Sequence, residues 1–228
     1  MIAGKDLLAD MAAALAENGL ILRGGFNFGA QESPPPGPSG APARAVVLVG
    51  QAGASAWRHF LDWRGGQPAG LADPLDSWSR DVIGAVAAHF GARAAGPNDR
   101  PFLPIQRWAM RAEGLKPSPL GILMHPLYGL WHAYRGVLLF DRELSFPQPP
   151  EVVHLCDSCA EKPCLKSCPV EAYSGNSFAY QACLSHVRGP DGAACRTTGC
   201  LDRNACPHGA TYRYPADAQA FHMAAFSR

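Results

Sequence analysis

The sequence predicts an α+β fold, in which helices cover a sheet, followed by a small cysteine-rich module. Two observations indicate this fold class. Segments of helical and strand character alternate irregularly through the first part of the chain, which is typical of α+β proteins. All eight cysteines of the 228-residue chain lie between Cys156 and Cys206. A packed apolar core and a metal-organised module stabilise a fold in different ways, so we expect two domains, residues 1–150 and 151–228.

Four segments of the first domain carry apolar residues at helical spacing. The first is followed by Asn18-Gly19, a common helix stop. The third is predicted to begin after Asp73 as its N-cap, with Pro74 at the first helical position and Gly91 beyond the last turn. The predicted helices cover residues 5–17, 54–63, 74–89 and 102–114.

Strands are predicted in short runs of β-branched and other apolar residues. Residues 45–50 are the clearest run and predict a buried strand. Residues 31–42 are rich in proline and glycine, so we expect an exposed loop there. Residues 147–150 are predicted to form a stiff boundary before the cysteines. The predicted strands cover residues 20–28, 45–50, 120–124 and 134–140.

The charge balance excludes no partner but favours none that is highly charged. The chain has 20 basic and 19 acidic residues and a formal net charge of +1. This balance gives no long-range field that would attract nucleic acid or an anionic membrane. No stretch approaches the roughly 20 apolar residues needed to cross a bilayer, and the N-terminus has no signal-peptide pattern. We expect a cytoplasmic protein, whose clustered cysteines bind metal or do redox work rather than form disulfides.

The spacing of the cysteines is the most informative pattern. Cys156-x2-Cys159-x4-Cys164-x3-Cys168-Pro169 is followed by Cys183, Cys195, Cys200 and Cys206-Pro207. A thiolate quartet that closes on Cys-Pro is typical of bacterial ferredoxins, where the last cysteine of each run ligates the other of two cubane clusters. The pattern predicts two [4Fe-4S] clusters. By this logic the first is held by Cys156, Cys159, Cys164 and Cys206, and the second by Cys168, Cys183, Cys195 and Cys200.

The spacing also departs from the ferredoxin signature. Four residues, instead of two, separate the second and third cysteines, and the return run is stretched as well. Structural zinc and metal-free buried thiols are the alternatives, although zinc usually takes paired Cys-x2-Cys knuckles and only one such pair is present. His154, His186 and His208 lie near the cysteines in sequence. We expect them to be neighbours rather than ligands, because eight thiolates already satisfy two clusters.

Two segments resemble known families. The cysteine order, with an isolated Cys183 and the pairs Gly199-Cys200 and Cys206-Pro207, resembles the dicluster module of epoxyqueuosine reductases, and reductive dehalogenases carry a similar one. Residues 118–139 are similar to the His-Pro...Gly...Trp...Arg-Gly segment of the cobalamin-processing CblC proteins, which share a nitroreductase-like core with those enzymes. The resemblance implies a nitroreductase-like, CblC-like first domain that holds a corrinoid (cobalamin) or a flavin, fed with electrons by a ferredoxin-like two-cluster module.

The CblC-like segment also predicts a cofactor pocket by its own chemistry. His125, Tyr128, Trp131 and Arg135 combine apolar walls with a few polar groups, as ligand sites usually do. Trp131 can stack on a ring, and Arg135 can hold a carboxylate or phosphate. The alternative is that the aromatic side chains pack against a sheet and that Arg135 pairs with an acid.

The predicted function is an iron-sulfur electron-transfer protein or oxidoreductase, with a redox partner protein and a small-molecule substrate. One alternative is a ferredoxin-like carrier whose first domain only docks a redox partner. Another is a zinc-stabilised interaction module without redox activity. The sequence has neither a Gly-x4-Gly-Lys-Ser/Thr loop nor a Gly-x-Ser-x-Gly motif, so a nucleotide-driven or serine-hydrolase function lacks its usual basis.

Overall fold

The structure is a computed structural model that describes residues 4–148, 151–174 and 177–228. Contacts divide the chain into two compact units, Met1–Gly114 with Ala133–Glu151, and Leu115–His132 with Val152–Arg228. The second unit therefore combines the cysteine region with a segment that precedes it by some 20 residues. Contact units need not be domains, so the predicted boundary at residue 150 stays a prediction. Pro149 and Pro150 of the predicted boundary lie outside the described residues.

The strands and helices alternate irregularly, which confirms the predicted α+β class. The helices are α1 (Gly4–Ala16), α2 (Trp57–Gly65), α3 (Pro74–Phe90), α4 (Ile105–Glu113), α5 (Tyr180–Arg188), α6 (Ala193–Thr198), α7 (Leu201–Ala205) and α8 (Ala216–Phe226). The strands are β1 (Ile21–Asn27), β2 (Ala45–Ala52), β3 (Arg93–Ala95), β4 (Lys116–Pro117), β5 (Leu123–Met124), β6 (His132–Phe140), β7 (Tyr173–Ser174) and β8 (Ser177–Phe178). Short 3-10 turns occur at Pro163–Leu165, Pro190–Gly192 and Ala210–Tyr212.

A four-stranded sheet of order β1-β2-β6-β3 is the centre of the first unit. The pairs β1–β2 and β3–β6 are antiparallel, and the register of β1 shifts between Leu22 and Gly25. Strand β2 is buried over nearly its whole length, because its residues are apolar except Gln51, whose amide is hydrogen-bonded to Gly53 and Arg135. Helix α1 packs against β1 and α3, where Met11 and Leu15 are fully buried.

All four predicted helices of the first domain are confirmed, with ends that shift by a few residues. Gly91 ends α3 with a left-handed conformation, φ +66°, as predicted. Asp73 occupies the predicted N-cap position with Pro74 next to it, but its backbone is left-handed and its side chain makes no capping hydrogen bond. Its carbonyl accepts the amides of Asp76 and Ser77 instead, each at 3.1 Å.

Strands are found at all four predicted positions, but the third is much shorter than expected. Of the predicted residues 120–124, only Leu123–Met124 form a strand. The chain turns immediately before it, where the amide of Gly121 donates to the carbonyl of Ser118 at 2.9 Å. Gly121 has φ +74°, a conformation that favours glycine and ends an extended run.

A buried ion pair connects β1 to α4 in the first unit. Arg23, only 2% exposed, donates to both carboxylate oxygens of Glu113 at 2.8 and 3.0 Å. The Tyr134 hydroxyl of β6 donates to the same carboxylate and accepts from Arg23 at 3.1 Å. Burial raises the pKa of Tyr134 far above its usual range, so this hydroxyl remains a donor. The network satisfies a guanidinium that would otherwise be buried without a counter-charge.

Among the residues that the structure describes, no helix is long and apolar enough to cross a membrane.

Candidate metal centre

The eight cysteines of the second unit come from loops and short helices. All eight are free thiols, and Cys164, Cys195 and Cys206 are buried. Cys164 lies in the turn Pro163–Leu165, whereas Cys183 and Cys195 lie on α5 and α6. Cys200 and Cys206 flank the five-residue helix α7. The irregular backbone lets cysteines that are distant in sequence approach one another.

The first set of thiols is Cys156, Cys159, Cys164 and Cys206, and these four line one pocket. The segment 115–132 supplies an apolar wall, because Leu120, Met124 and Leu130 form a buried cluster with Cys164 and Cys206. Of this cluster, Met124 and Leu130 line the pocket itself, together with Ser118, Pro119, Lys162, Pro163, Pro207 and His208. Cys206, which precedes Pro207, therefore lies in one pocket with Cys156, Cys159 and Cys164.

Mutual electrostatic effects connect the same four thiols. The pKa of Cys156 is raised to about 11, chiefly by burial and then by the charges of Cys206, Cys164 and Cys159. Burial is also the largest cause of the raised pKa of Cys164 and of Cys206, and in each case other thiols of this set contribute. Thiols influence one another in this way only over short distances.

The second set is Cys168, Cys183, Cys195 and Cys200. The pKa of Cys183 is raised to about 11, chiefly by burial and then by the charges of Cys200, Cys168 and Cys195. Burial raises the pKa of Cys195 and of Cys200, and the charge of Cys168 adds to both shifts. The thiols whose charges raise the pKa of Cys183, Cys195 and Cys200 all belong to this set. The assignment of these four cysteines to one quartet stays the prediction made from the Cys-Pro spacing.

Backbone amides point at several of the sulfur atoms. The amide of Ala172 donates to Sγ of Cys168 at 3.4 Å. Amides of Asp202 and Arg203 donate to Cys200, and the amide of His208 donates to Cys206. Each of the last three bonds lowers the pKa of its thiol against the larger effect of burial. Such donors stabilise the thiolate, the form that binds metal.

Asp202 is a buried carboxylate that the sequence analysis missed. It is 1% exposed, and it accepts the amide of Ser167 at 3.0 Å. Burial raises its pKa, while hydrogen bonds from the amides of Ser167 and Cys168 oppose the shift. Its charge raises the pKa of Cys164 in the first set and of Cys183 in the second. Asp202 therefore lies close to both sets, and its hydrogen bonds to the amides of Ser167 and Cys168 connect α7 to the segment that follows Cys164.

Three of the predicted cofactor-pocket residues lie in the second unit and contact other residues there. His125 Nδ1 accepts the amides of Leu127 and Tyr128, both at 3.1 Å, and its ring stacks on Tyr128 at 4.1 Å. Trp131 is fully buried, with its ring centroid 5.4 Å from that of Tyr214. These contacts build a tight turn and an aromatic core.

Arg135, the fourth predicted pocket residue, belongs to the first unit. Its Nε donates to Oε1 of Gln51 at 2.9 Å. It also lines a small pocket with Asp76, Arg80 and Asp99. The cofactor pocket itself stays a prediction.

Two glycines bring the 115–132 segment into backbone contact with the loop that follows Cys206. Gly129 has φ +56°, and a Cβ atom there would lie 2.1 Å from the carbonyl oxygen of His208. Gly209 has φ +68°, and a Cβ atom there would lie 2.3 Å from the carbonyl of Tyr128. No side chain fits at either position, so these two glycines determine how closely the apolar wall approaches the first set.

No three His, Cys, Asp or Glu side chains in the described ranges are arranged to hold a metal ion. The assignment of the eight cysteines as cluster ligands therefore stays a prediction.

Comparisons with known proteins locate the fold. No protein-family model matches the chain, and neither does any curated protein. The C. elegans B12-trafficking protein CblC matches with a TM-score of 0.53 and 12% sequence identity, over 96% of this chain and 92% of that one. The fold is CblC-like. This likeness confirms the expected fold of the CblC type, and at such low identity it concerns the fold alone.

Epoxyqueuosine reductases also match, at lower scores. One solved with a tRNA-Tyr stem loop has a TM-score of 0.48 and 17% identity, over 76% of this chain and 51% of that one. The Bacillus subtilis enzyme has a TM-score of 0.47 and 16% identity, with the same coverage. The chain thus spans about half the length of the epoxyqueuosine reductases that it matches. The ferredoxin-like module next to the CblC-like fold remains a prediction.

Proposed function

We propose that this protein is an iron-sulfur oxidoreductase or electron-transfer protein with two [4Fe-4S] clusters. Cys156, Cys159, Cys164 and Cys206 hold the first, and Cys168, Cys183, Cys195 and Cys200 hold the second. One observation supports the proposal most: Cys206 lines one pocket with Cys156, Cys159 and Cys164, as a two-cluster ferredoxin arrangement requires. The charges of Cys200, Cys168 and Cys195 on Cys183 agree with a second quartet. If the eight thiols were only buried side chains without a metal, Cys206 would not be expected to lie with Cys156, Cys159 and Cys164.

The chemistry of the donor set fits such clusters. Every ligand is a soft thiol, the first pocket has an apolar wall, and backbone amides point at the sulfurs. A [4Fe-4S] cluster takes one thiolate per iron, so its four ligands are spread farther apart than four ligands around one ion. When bound, the cluster accepts and releases one electron at a time. The chain itself excludes water, fixes the thiolates and supplies hydrogen bonds to them.

The CblC-like fold supports a second part of the proposal, in which the protein passes these electrons to a corrinoid or flavin. A redox partner protein supplies the electrons, and a small molecule is the final acceptor. Adding hydroxocobalamin or a flavin to the anaerobic protein tests this part through a spectral shift. Absence of a shift at micromolar concentration favours the ferredoxin-like carrier, because a carrier needs no cofactor beyond its clusters.

Metal analysis of anaerobically purified protein tests the clusters. We expect about eight irons and eight labile sulfides per chain, and broad absorbance near 400 nm that dithionite bleaches. Thiol quartets also suit structural zinc, so a colourless protein with stoichiometric zinc would refute the proposal.

Paired substitutions test the ligand partition. The double variant Cys156→Ser/Cys206→Ser removes two ligands of one set, so about four irons per chain should remain. The double variant Cys195→Ser/Cys206→Ser removes one ligand from each set and should weaken both clusters. Equal iron loss and equal spectra in the two variants would show that the partition is wrong.

A further inference from the structure

His208 has an unpaired polar atom beside the first set of thiols. His208 lines the same pocket as Cys156, Cys159, Cys164 and Cys206. Nε2 of the ring is buried and has no hydrogen-bond partner. Buried polar groups in folded proteins nearly always have a partner, so this nitrogen indicates a group that the pocket is built to receive.

The other non-cysteine polar side chains that line this pocket are Ser118 and Lys162. The Ser118 hydroxyl accepts the amide of Leu120 at 3.3 Å. Lys162 is exposed, so water can solvate its ammonium group. His208 differs from both, because its Nε2 is shielded from water and unpaired. The sulfur atoms of a cluster accept hydrogen bonds and cannot donate them, so the matching tautomer carries its proton on Nε2.

The backbone holds His208 in place from two sides. Its amide donates to the sulfur of Cys206, which fixes the residue relative to a ligand of the first set. Its carbonyl lies so close to Gly129 that a Cβ atom there would be only 2.1 Å away. The next residue, Gly209, has φ +68° and allows the chain to turn at once. The backbone of His208 is therefore fixed beside the first set before any cluster is bound, which limits where the imidazole can reach.

We propose that His208 donates a hydrogen bond from Nε2 to a sulfur of the first cluster and thereby raises its reduction potential. This inference rests on the proposed function. The reduced cluster carries one more negative charge than the oxidised cluster, so a donor stabilises the reduced state more. His208 acts as a positioning and tuning residue and not as a ligand, because Cys206 completes the quartet.

The test is a redox titration of the anaerobic full-length protein followed by electron paramagnetic resonance. His208→Phe keeps a ring but removes the donor, and it should reduce the equilibrium constant for reduction of one cluster about tenfold, a shift of about 59 mV for one electron. His208→Gln keeps an N–H donor and should restore most of the shift. The variant Cys206→Ser identifies which signal belongs to the first cluster.

A matched control is His186→Phe, which removes a histidine from α5 near the second set. It should leave the potential of the first cluster unchanged. An unchanged first-cluster potential in His208→Phe, with about eight irons still bound, would overturn the inference alone. Loss of about four irons in both His208 variants would make His208 a ligand and would also overturn it. An iron-free wild-type protein would refute the proposed function first and the inference with it.

Discussion

The variant Gly129→Ala tests whether the 115–132 segment holds the first set of thiols together. Gly129 has φ +56°, so an alanine there incurs the left-handed strain of about 1–2 kcal/mol. Its Cβ would also lie 2.1 Å from the His208 carbonyl oxygen, far inside the ordinary contact distance of 3.4 Å. One of the two backbones must then move by about 1 Å, away from the pocket wall or away from Cys206.

Gly121→Ala is the matched control. It lies in the same segment with φ +74°, but the space around its Cβ position is open within 4 Å. Both variants share the backbone strain, and only Gly129→Ala adds a clash, which typically costs about 1–3 kcal/mol. The difference between the two variants therefore isolates the contact between the two segments.

The assay compares urea unfolding and iron content of the two variants. We expect Gly129→Ala to have a free energy of unfolding about 1–3 kcal/mol below that of Gly121→Ala, and to lose first-cluster iron at lower urea. Identical unfolding midpoints and iron contents in the two variants would refute the role assigned to the contact between Gly129 and His208.

Two further predictions concern the first unit and the thiols. Glu113→Ala leaves the buried Arg23 without its counter-charge and should lower the free energy of unfolding by about 3–5 kcal/mol in urea titrations followed by tryptophan fluorescence. Arg58→Ala removes an exposed ion pair and should cost at most about 1 kcal/mol, and similar losses in the two variants would contradict the reasoning. The second prediction follows from the raised pKa of Cys156 and of Cys183, each about 11. These thiols are protonated near neutral pH and must release protons to bind metal, so iron loading should rise between about pH 7 and pH 9; loading measured at limiting iron that stays constant or falls would be inconsistent with this sign.

The strands and helices of the first unit could be predicted because they depend on local pattern. The run at residues 45–50 has no polar side chain, so its pattern predicts a buried strand. Asp73 occupies the predicted N-cap position, but its backbone is left-handed and its side chain makes no capping hydrogen bond. A capping residue type in the right place does not determine the dihedral angles that capping requires.

The approach of Cys206 to Cys156, Cys159 and Cys164 could also be anticipated, because Cys-Pro spacing reflects a recurring local geometry. The wall of the first pocket could not. Leu120, Met124 and Leu130 precede the cysteines by more than twenty residues, and nothing in their pattern indicates which surface they cover. Asp202 was missed for a similar reason. An aspartate between two cysteines looks like any exposed charge until its contacts with the amides of Ser167 and Cys168 are known.

The interleaving of the two sets has a consequence for durability. Cys164 lies in the turn Pro163–Leu165 and Cys168 follows it closely, but the two belong to different sets, as do Cys200 and Cys206 on either side of α7. If both clusters are bound as proposed, oxidative loss of one cluster also loosens the loops that hold the ligands of the other. Cluster assembly should be coupled in the same way, because binding of the first cluster orders loops that also carry ligands of the second.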